Sequence, residues 1–413
     1  MISENTLARL YGEENLPSQQ LRYERAEKNF ISHFGAQGDI RIFSAPGRTE
    51  IGGNHTDHNH GCVLAAAVDL DAIAFVRKTD NGIITVISDG FEISPVDISD
   101  TAKKKEEENT SEGLIRGMAA GLSAAGCDIC GFDAYVTSDV IPGSGLSSSA
   151  AFEVLIGRII SGLCGKDISA VEIAKISQYA ENEYFGKPSG LMDQTASSVG
   201  GFITIDFADT ASPVIDSISC DLSAHGLELF IVDTKGSHKD LTPDYASIPA
   251  EMKSVAAFFG KTVLRELTKE QLTENIQAVR EKCGDRAVLR ALHFFDENER
   301  AVREAEHLRK NDTAAFLDEV KASGNSSYKY LQNICSPADP SSQGVALGLY
   351  TAESVLCGKG ACRVHGGGFA GTIQAFVPRE LTEIFISAEE KVFGAGCCHR
   401  LRIRPVGGTE VTG

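Results

Sequence analysis

Two acidic side chains are candidates for chemistry at a metal ion and at a hydroxyl group. Glu181 ends a predicted amphipathic helix, and Asp193 begins the next predicted helix. A carboxylate can bind a divalent cation or accept a proton from a hydroxyl group. Acidic residues are also common in the first turn of a helix because they favour the helix dipole, so Asp193 alone does not establish an active site.

A loop rich in glycine and serine precedes these carboxylates, between a predicted strand and an apolar helix. Glycine lets a ligand approach the backbone, and the first amides of a helix are unpaired, so the loop predicts an anion site. Serine hydroxyls there can cap the helix, bind phosphate or bind Mg²⁺. The three consecutive serines at 147–149 are more than a cap requires. The loop contains Gly143, Ser144, Gly145, Leu146, Ser147, Ser148 and Ser149.

A third segment, residues 47–58, concentrates hydrogen-bonding side chains among glycines directly after a predicted strand. A plain turn favours Gly, Asn and Asp but seldom needs Arg and His as well. The segment therefore predicts a loop that binds a polyhydroxylated ligand. Its candidate residues are Arg48, Asn54, His55 and Asp57.

A fourth segment, residues 364–371, has four glycines around the aromatic Phe369 and lies between two predicted strands. It predicts backbone packed tightly against another part of the protein.

Two alternative phosphate-binding motifs do not match the sequence. Ser148 stands where a dinucleotide fingerprint needs its third glycine, and Val255 stands where a P-loop needs its first.

The elements that must position these segments indicate an α+β protein. The chain begins with a polar helical lead-in to about residue 38, and a first strand over residues 40–44 is predicted to break at Pro46 and Gly47. Turn residues 80–82 predict a hairpin between strands 72–76 and 83–87.

The second half alternates long amphipathic helices with short strands, which predicts helices packed on an antiparallel sheet. The predicted helices are 270–282, 287–310, 314–322 and 344–356, and the predicted strands are 363–364, 372–377 and 401–404. The composition shift near a polar interval predicts two domains, 1–215 and 216–413.

Composition limits the classes of partner. The 413 residues carry a formal net charge of −18, so the surface repels nucleic acid and anionic membranes. The polar, acidic N-terminus and the lack of a long apolar run predict a cytoplasmic protein. The 11 cysteines are therefore expected to be reduced.

In sequence order, the four segments resemble the motifs of the kinase superfamily that groups galactokinase, homoserine kinase, mevalonate kinase and phosphomevalonate kinase. Residues 47–57 followed by Gly61, and residues 180–194, are similar to the galactokinase branch in particular. The resemblance covers nearly the whole chain apart from the lead-in.

This resemblance implies a two-domain small-molecule kinase fold with a ferredoxin-like C-terminal domain and the active site in the inter-domain cleft. It implies phosphoryl transfer from ATP, with Mg²⁺, to the anomeric hydroxyl of galactose, by a monomer or weak homo-oligomer. Asp193 and Arg48 match the catalytic pair, and Ser149 and Glu181 match the Mg²⁺ ligands. The glycine and serine loop, residues 143–149, matches the ATP-binding loop. The positions that match sugar contacts are Asn54, His55, Asp57, Gly190 and Tyr245.

The chain departs from the family pattern at specific positions. Asn54 stands where the family usually has Glu, and Thr49 and Glu50 replace the usual apolar residue and Asn. Asn54 keeps an acceptor but loses the charge that holds a distal sugar hydroxyl. Two alternatives therefore stay open: a kinase for a related sugar, such as N-acetylgalactosamine or arabinose, and a non-catalytic galactose sensor.

Overall fold

The computed structural model describes residues 2–236 and 241–411, which fold as two sheets with helices packed against them. The helices are α1 Glu4–Tyr11, α2 Leu16–Phe34, α3 Ser111–Ala124, α4 Ser148–Cys164, α5 Ala170–Tyr179, α6 Met192–Val199, α7 Thr242–Phe258, α8 Lys269–Glu274, α9 Ile276–Cys283, α10 Asp285–Arg309, α11 Thr313–Ser326, α12 Gly344–Leu356 and α13 Thr382–Phe393. The strands are β1 Ile40–Gly52, β2 Cys62–Thr79, β3 Ile83–Ser88, β4 Val96–Asp97, β5 Gly131–Ser138, β6 Phe202–Asp206, β7 Val214–Ile218, β8 Leu227–Asp233, β9 Ala361–Val364, β10 Thr372–Pro378, β11 Cys398–Leu401 and β12 Thr409–Glu410.

The first sheet has the order β12-β1-β2-β5-β3-β4, and β6 and β7 extend it from the other end of β2. The long strand β2 pairs with β1 along its length, with β6 through residues 62–66 and with β5 through residues 72–79. Apolar residues of β1, β2, β5 and α4 form its main core. Because β2 is central, it fixes the positions of β1 and of the chain that follows β5.

The predicted strand break at Pro46 and Gly47 is wrong. Strand β1 continues to Gly52, with a register shift between Pro46 and Arg48 where it pairs with β2. A proline is tolerated in a strand at a bulge because the ladder hydrogen bond is already interrupted there. Arg48 therefore projects from a sheet strand, opposite Ala67.

The predicted hairpin between residues 72–76 and 83–87 is also wrong. Strand β5 lies between β2 and β3, antiparallel to the first and parallel to the second. The turn at residues 80–82 crosses the beginning of β5 at Gly131. A Cβ at Gly131 would lie 2.7 Å from Asn81 Oδ1 and from Ile83 O, so the crossing depends on a residue without a side chain.

The second sheet is antiparallel with the order β11-β8-β10-β9. In chain order its elements run strand, helices, two strands, helix α13 and strand, which is the ferredoxin-like arrangement that the family resemblance implies. The predicted domain boundary between residues 215 and 216 falls inside β7, and β12 returns to pair with β1. The division into 1–215 and 216–413 stays a prediction. In the described ranges, no helix has the length and apolarity needed to cross a bilayer.

Charged side chains are buried where α10 meets β1. Arg300 pairs with Glu297, while Glu304 is 0% exposed and its two carboxylate oxygens have no hydrogen-bond partner among residues 2–236 and 241–411. A Cβ at Gly52 would lie 1.6 Å from Glu304 Oε2, so this glycine makes room for the carboxyl group. Burial, and then the charge of Glu297, raise the pKa of Glu304 well above its usual value.

The change Glu304→Gln should stabilise the protein increasingly as the pH rises. A carboxyl whose pKa is raised by folding contributes stability that is complete below its unfolded-state pKa and is lost as the pH rises through the folded pKa. We expect the difference in Tm between variant and wild type to grow in the variant's favour as the pH rises above the unfolded-state pKa of glutamate, about 4.3. The control Glu319→Gln removes a carboxylate paired with Arg303 at 2.7 Å and should bring no such gain. A pH-independent difference for Glu304→Gln would contradict the burial of a neutral acid.

Candidate active site

An arginine and an aspartate form the centre of the site. Arg48 from β1 binds Asp193 at the start of α6 through two parallel hydrogen bonds, Nε to Oδ1 at 2.7 Å and Nη2 to Oδ2 at 2.6 Å. Its third nitrogen, Nη1, donates to the carbonyl oxygen of Gly145 in the glycine and serine loop. A bidentate guanidinium fixes the plane of a carboxylate as well as its charge. One side chain thus connects Asp193 to the predicted anion site.

Asp193 is held in its ionised form. Burial by itself would raise its pKa, but the charge and the hydrogen bonds of Arg48, followed by a hydrogen bond from Ser147 and the charge of Lys187, lower its pKa below the usual value. Its side chain remains 31% exposed. The carboxylate can therefore contact a ligand while its charge is fixed by the protein.

The glycine and serine loop leads directly into the open N-terminus of α4. Gly143, Gly145 and Ser147 have positive φ angles of 74°, 76° and 57°, a conformation that glycine adopts easily and serine seldom. The side chain of Ser147 makes no capping hydrogen bond to the described backbone, so the first amides of the 17-residue helix are free to bind an anion. This arrangement fits the predicted phosphate site better than a capped turn.

The serines of this loop differ in what they face. Ser144 is buried and donates to Ile141 O at 2.7 Å, and Leu146 is 0% exposed in the core. Their side chains hold the loop on the protein, and only their backbone is available to a ligand. Ser147, Ser148 and Ser149 are partly exposed at the start of α4.

Oxygen donors for a cation converge beside this helix. Ser149 Oγ lies 3.5 Å from Glu181 Oε1. Glu181 belongs to a π-helical turn over Ala180–Phe185 and is only 3% exposed. The ammonium of Lys187 donates to the same Oε1 at 2.9 Å. Hydroxyl and carboxylate oxygens are the donors that Mg²⁺ prefers, and the residues fit such an ion.

Glu153 is a residue of this site that the sequence analysis missed. It is 0% exposed, and Gln194 Nε2 donates both to Glu153 Oε2 at 3.2 Å and to Glu181 Oε2 at 2.8 Å. Burial, and then the charge of Glu181, raise the pKa of Glu153 well above its usual value. The available signal was its position four residues after Ser149, which places both on one face of α4.

The predicted sugar-binding residues Asp57 and Gly190 lie against each other. A Cβ at Gly190 would lie 2.7 Å from Asp57 Oδ2, so the absence of a side chain allows this close approach. Gly190 shortly precedes Asp193 in the chain, and Asp57 contributes to the electrostatic field at Arg48. The structure thus brings Asp57 and Gly190 to the Arg48–Asp193 pair.

His55 and Tyr245 contact the glycine loop at residues 366–369 from the second half of the chain. His55 Nε2 lies 3.0 Å from Gly367 O, and Tyr245 donates to Gly368 O at 3.1 Å. A Cβ at Gly367 would lie 2.5 Å from the Tyr245 ring. The tight packing predicted for this glycine segment is confirmed. Burial lowers the pKa of His55 to about 4, so its ring is neutral near pH 7.

Asn54 has all its hydrogen-bonding capacity used within the protein. Its Nδ2 donates to Glu50 Oε1 at 2.9 Å and to Gly366 O at 2.8 Å. Its Oδ1 accepts from Ser327 Oγ at 3.2 Å and from Asn333 Nδ2 at 2.9 Å. The residue is 0% exposed. Four bonds are the full complement of an amide side chain, and the structure does not bring this one to an open face.

His365, which lies in the predicted glycine segment but had no role assigned from the sequence, connects the two halves behind the glycine and serine loop. His365 is 3% exposed and lies 3.0 Å from Thr49 Oγ1 and 3.1 Å from Thr372 Oγ1 through its two ring nitrogens. Thr372 Oγ1 in turn donates to Ser144 O at 3.1 Å. Burial, with the charges of Arg48 and Arg363, lowers the pKa of His365 to about 3, so it acts here as a neutral hydrogen-bonding group.

Family models match two stretches that contain these residues. The model described as GHMP kinases N terminal domain matches residues 113–201, and the model described as galactokinase galactose-binding signature matches residues 28–78. The first matched stretch includes the glycine and serine loop, Glu181 and Asp193, and the second matched stretch includes Arg48 and Asp57.

Solved structures share the fold. The crystal structure of Lactococcus lactis galactokinase complexed with galactose superposes with a TM-score of 0.79 at 23% identity, covering 94% of this chain and 100% of that one. Methanococcus jannaschii mevalonate kinase superposes with a TM-score of 0.64 at 16% identity, covering 89% and 99%.

Curated relatives match over most of the sequence. A galactokinase of Streptomyces coelicolor is 31% identical over 372 residues, which are 89% of this chain and 92% of that protein. A galactokinase of Glaesserella parasuis is 32% identical over 366 residues, 87% of this chain and 91% of that protein. With the kinase fold and the Arg48–Asp193 pair beside the glycine and serine loop, these matches place the chain in the galactokinase family of the GHMP kinases.

Proposed function

We propose that this protein is an ATP-dependent sugar kinase that transfers the γ-phosphate of ATP to the anomeric hydroxyl of galactose. The observation that carries the proposal is the bidentate Arg48–Asp193 pair, joined by Arg48 Nη1 to the carbonyl of Gly145 in the phosphate loop. An acceptor hydroxyl bound at Asp193 would then lie beside the anion site at the start of α4. The family's galactose-binding signature over residues 28–78 supports galactose as the acceptor.

Asp193 orients the hydroxyl and receives its proton. Its lowered pKa makes it a weak base, but phosphoryl transfer through a loose transition state needs little proton removal before the new bond forms. Orientation of the attacking oxygen is therefore its main contribution. Arg48 keeps the carboxylate ionised and supplies positive charge beside the transferring group.

The start of α4 binds the phosphates through backbone amides. The residues proposed to hold Mg²⁺ are Ser149 and Glu181, and Gln194 orients Glu181 by its hydrogen bond to Oε2. When bound, the ion neutralises charge on the phosphate oxygens. Asp57, His55, Gly190 and Tyr245 are proposed to line the sugar, and Asn54 is proposed to hold the shape of this loop through its four protein partners.

A coupled assay of ADP release tests the proposal over galactose, N-acetylgalactosamine, arabinose, glucose, mevalonate and homoserine. We expect galactose to give the highest kcat/KM. A preference for N-acetylgalactosamine or arabinose would assign the chain to a related sugar. Galactose binding without ADP release would indicate a sensor.

The changes Ser149→Ala and Glu181→Gln should raise the Mg²⁺ concentration required for half-maximal activity, because each removes one oxygen donor proposed for the ion. The KM for the sugar should change little. Activity is measured as a function of Mg²⁺ at saturating sugar. The control Ser161→Ala removes a hydroxyl from the other end of α4, where it binds Lys166 O at 2.6 Å. An Mg²⁺ curve equal to that of the control would show that Ser149 is not a ligand.

A further inference from the structure

Lys187 binds one of the oxygens proposed for the metal ion. Its Nζ lies 2.9 Å from Glu181 Oε1, the same oxygen that lies 3.5 Å from Ser149 Oγ. The Lys187 side chain is 58% exposed, whereas that of Glu181 is 3% exposed. A cation bound between Ser149 and Glu181 would meet the ammonium at close range, where like charges repel each other. The two cations cannot share this oxygen without cost.

The backbone of Lys187 is fixed while its side chain can move. The amides of Gly186 and Lys187 donate to Glu181 O at 3.0 and 3.1 Å, and Ser189 N donates to Asn182 Oδ1 at 2.7 Å. These bonds hold the chain beside the π-helical turn. The flexible lysine stem can place the ammonium at more than one position around this fixed point.

Asp193 is a second ionised carboxylate close enough for its charge to act on the ammonium of Lys187. Asp193 is where the acceptor hydroxyl is proposed to bind, and the phosphate loop lies beside it through Arg48 and Gly145. Lysine is an effective partner for phosphate as a point charge.

We propose that Lys187 is a mobile catalytic cation, which rests on the sugar kinase function proposed above. It pairs with Glu181 until a divalent cation takes that carboxylate, and it then contacts the phosphoryl group during its transfer at Asp193. Arg48 uses one donor on each of its three nitrogens to bind Asp193 and Gly145, which fixes the guanidinium in place, so Lys187 is the cation that can move toward the phosphoryl group. Binding of the metal ion at Glu181 thus releases Lys187, and the released ammonium brings a second positive charge to the phosphoryl group.

The test compares Lys187→Met with Lys187→Arg, which keeps the charge, using Mn²⁺ as the probe. Binding of Mn²⁺ alone, measured by electron paramagnetic resonance without ATP or sugar, should be about three- to tenfold tighter in Lys187→Met because a competing cation is gone. The kcat at saturating Mg²⁺, ATP and galactose should fall about tenfold or more. Lys187→Arg should resemble the wild type in Mn²⁺ affinity.

Unchanged or weaker Mn²⁺ binding by a folded Lys187→Met would overturn the proposal, and so would an unchanged kcat. If Lys187→Met is unstable, Lys187→Gln gives the same comparison with a polar side chain. The Mn²⁺ measurement needs no sugar, so it tests the competition between Lys187 and the metal ion independently of the sugar kinase function. A protein that phosphorylates no sugar yet shows the Mn²⁺ effect would refute the sugar kinase function while leaving the competition at Glu181 in place.

Discussion

Replacing Asp193 by asparagine is expected to lower kcat by about 10²- to 10⁴-fold, the usual range for a positioned acid–base group. The amide cannot accept the proton and cannot form the two charge-assisted bonds with Arg48 that are observed at 2.7 and 2.6 Å. Arg48 then loses the partner that orients it beside Gly145. Steady-state kinetics with saturating ATP and galactose measure the loss.

Binding of Mg²⁺-ATP by Asp193→Asn should remain close to that of the wild type, because the phosphates are proposed to contact α4 and the metal ligands. The matched control is Asp206→Asn, which removes a carboxylate from another arginine pair, with Arg265 at 2.8 Å. It should retain nearly full kcat. An Asp193→Asn variant with more than about a tenth of the wild-type kcat would exclude Asp193 as the catalytic carboxylate.

The change Asn54→Glu is expected to destabilise the protein and abolish activity on every sugar. It brings a second carboxylate against Glu50 Oε1 and the carbonyl of Gly366, where the amide now donates two hydrogen bonds. An uncompensated buried charge costs about 3–5 kcal/mol of unfolding free energy. The resemblance to the family pattern points the other way, because the family usually has Glu at this position and its charge would hold a distal sugar hydroxyl.

The double change Glu50→Asn with Asn54→Glu should recover much of the lost stability. It exchanges the two partners and keeps one carboxylate near Arg363, which now binds Glu50 at 2.8 Å. Thermal unfolding and galactose kinetics of the single and double variants give the coupling energy between positions 50 and 54. The control Asn325→Glu makes the same substitution on the exposed surface of α11 and should be nearly neutral. A stable Asn54→Glu protein with a lower KM for galactose would instead place the amide at the sugar.

The sequence was sufficient to predict features carried by local patterns. The glycine and serine loop, the apolar helix after it and the packed glycine segment follow from glycine, serine and hydrophobic spacing. Most of the long helices of the second half follow from their periodicity, although the helix predicted over 270–282 is divided at Asn275 into α8 and α9. Helix α7 was not predicted because Pro249 lies inside it, and proline usually argues against a helix interior.

Features that depend on distant partners could not be predicted. The side-chain partners of Asn54 beyond Glu50 lie 273 to 312 positions away in the chain, so no local pattern reveals that its amide is fully paired. The insertion of β5 between β2 and β3 is likewise a long-range pairing, whereas residues 80–82 carry only the signal of a turn. Glu153 lies in an apolar helix, and its role could not be predicted because it depends on contacts with Gln194 and, through it, Glu181.

The position of the phosphate on the sugar product distinguishes transfer to the anomeric oxygen of galactose from transfer to any other hydroxyl. The purified protein is incubated with Mg²⁺, ATP and galactose, and the product is analysed by ³¹P NMR together with a reducing-sugar assay. We expect one ADP for each galactose consumed, a phosphorus signal coupled to the anomeric proton, and loss of the reducing end. A phosphate on another hydroxyl, or no sugar phosphate at all, would contradict transfer to the anomeric oxygen.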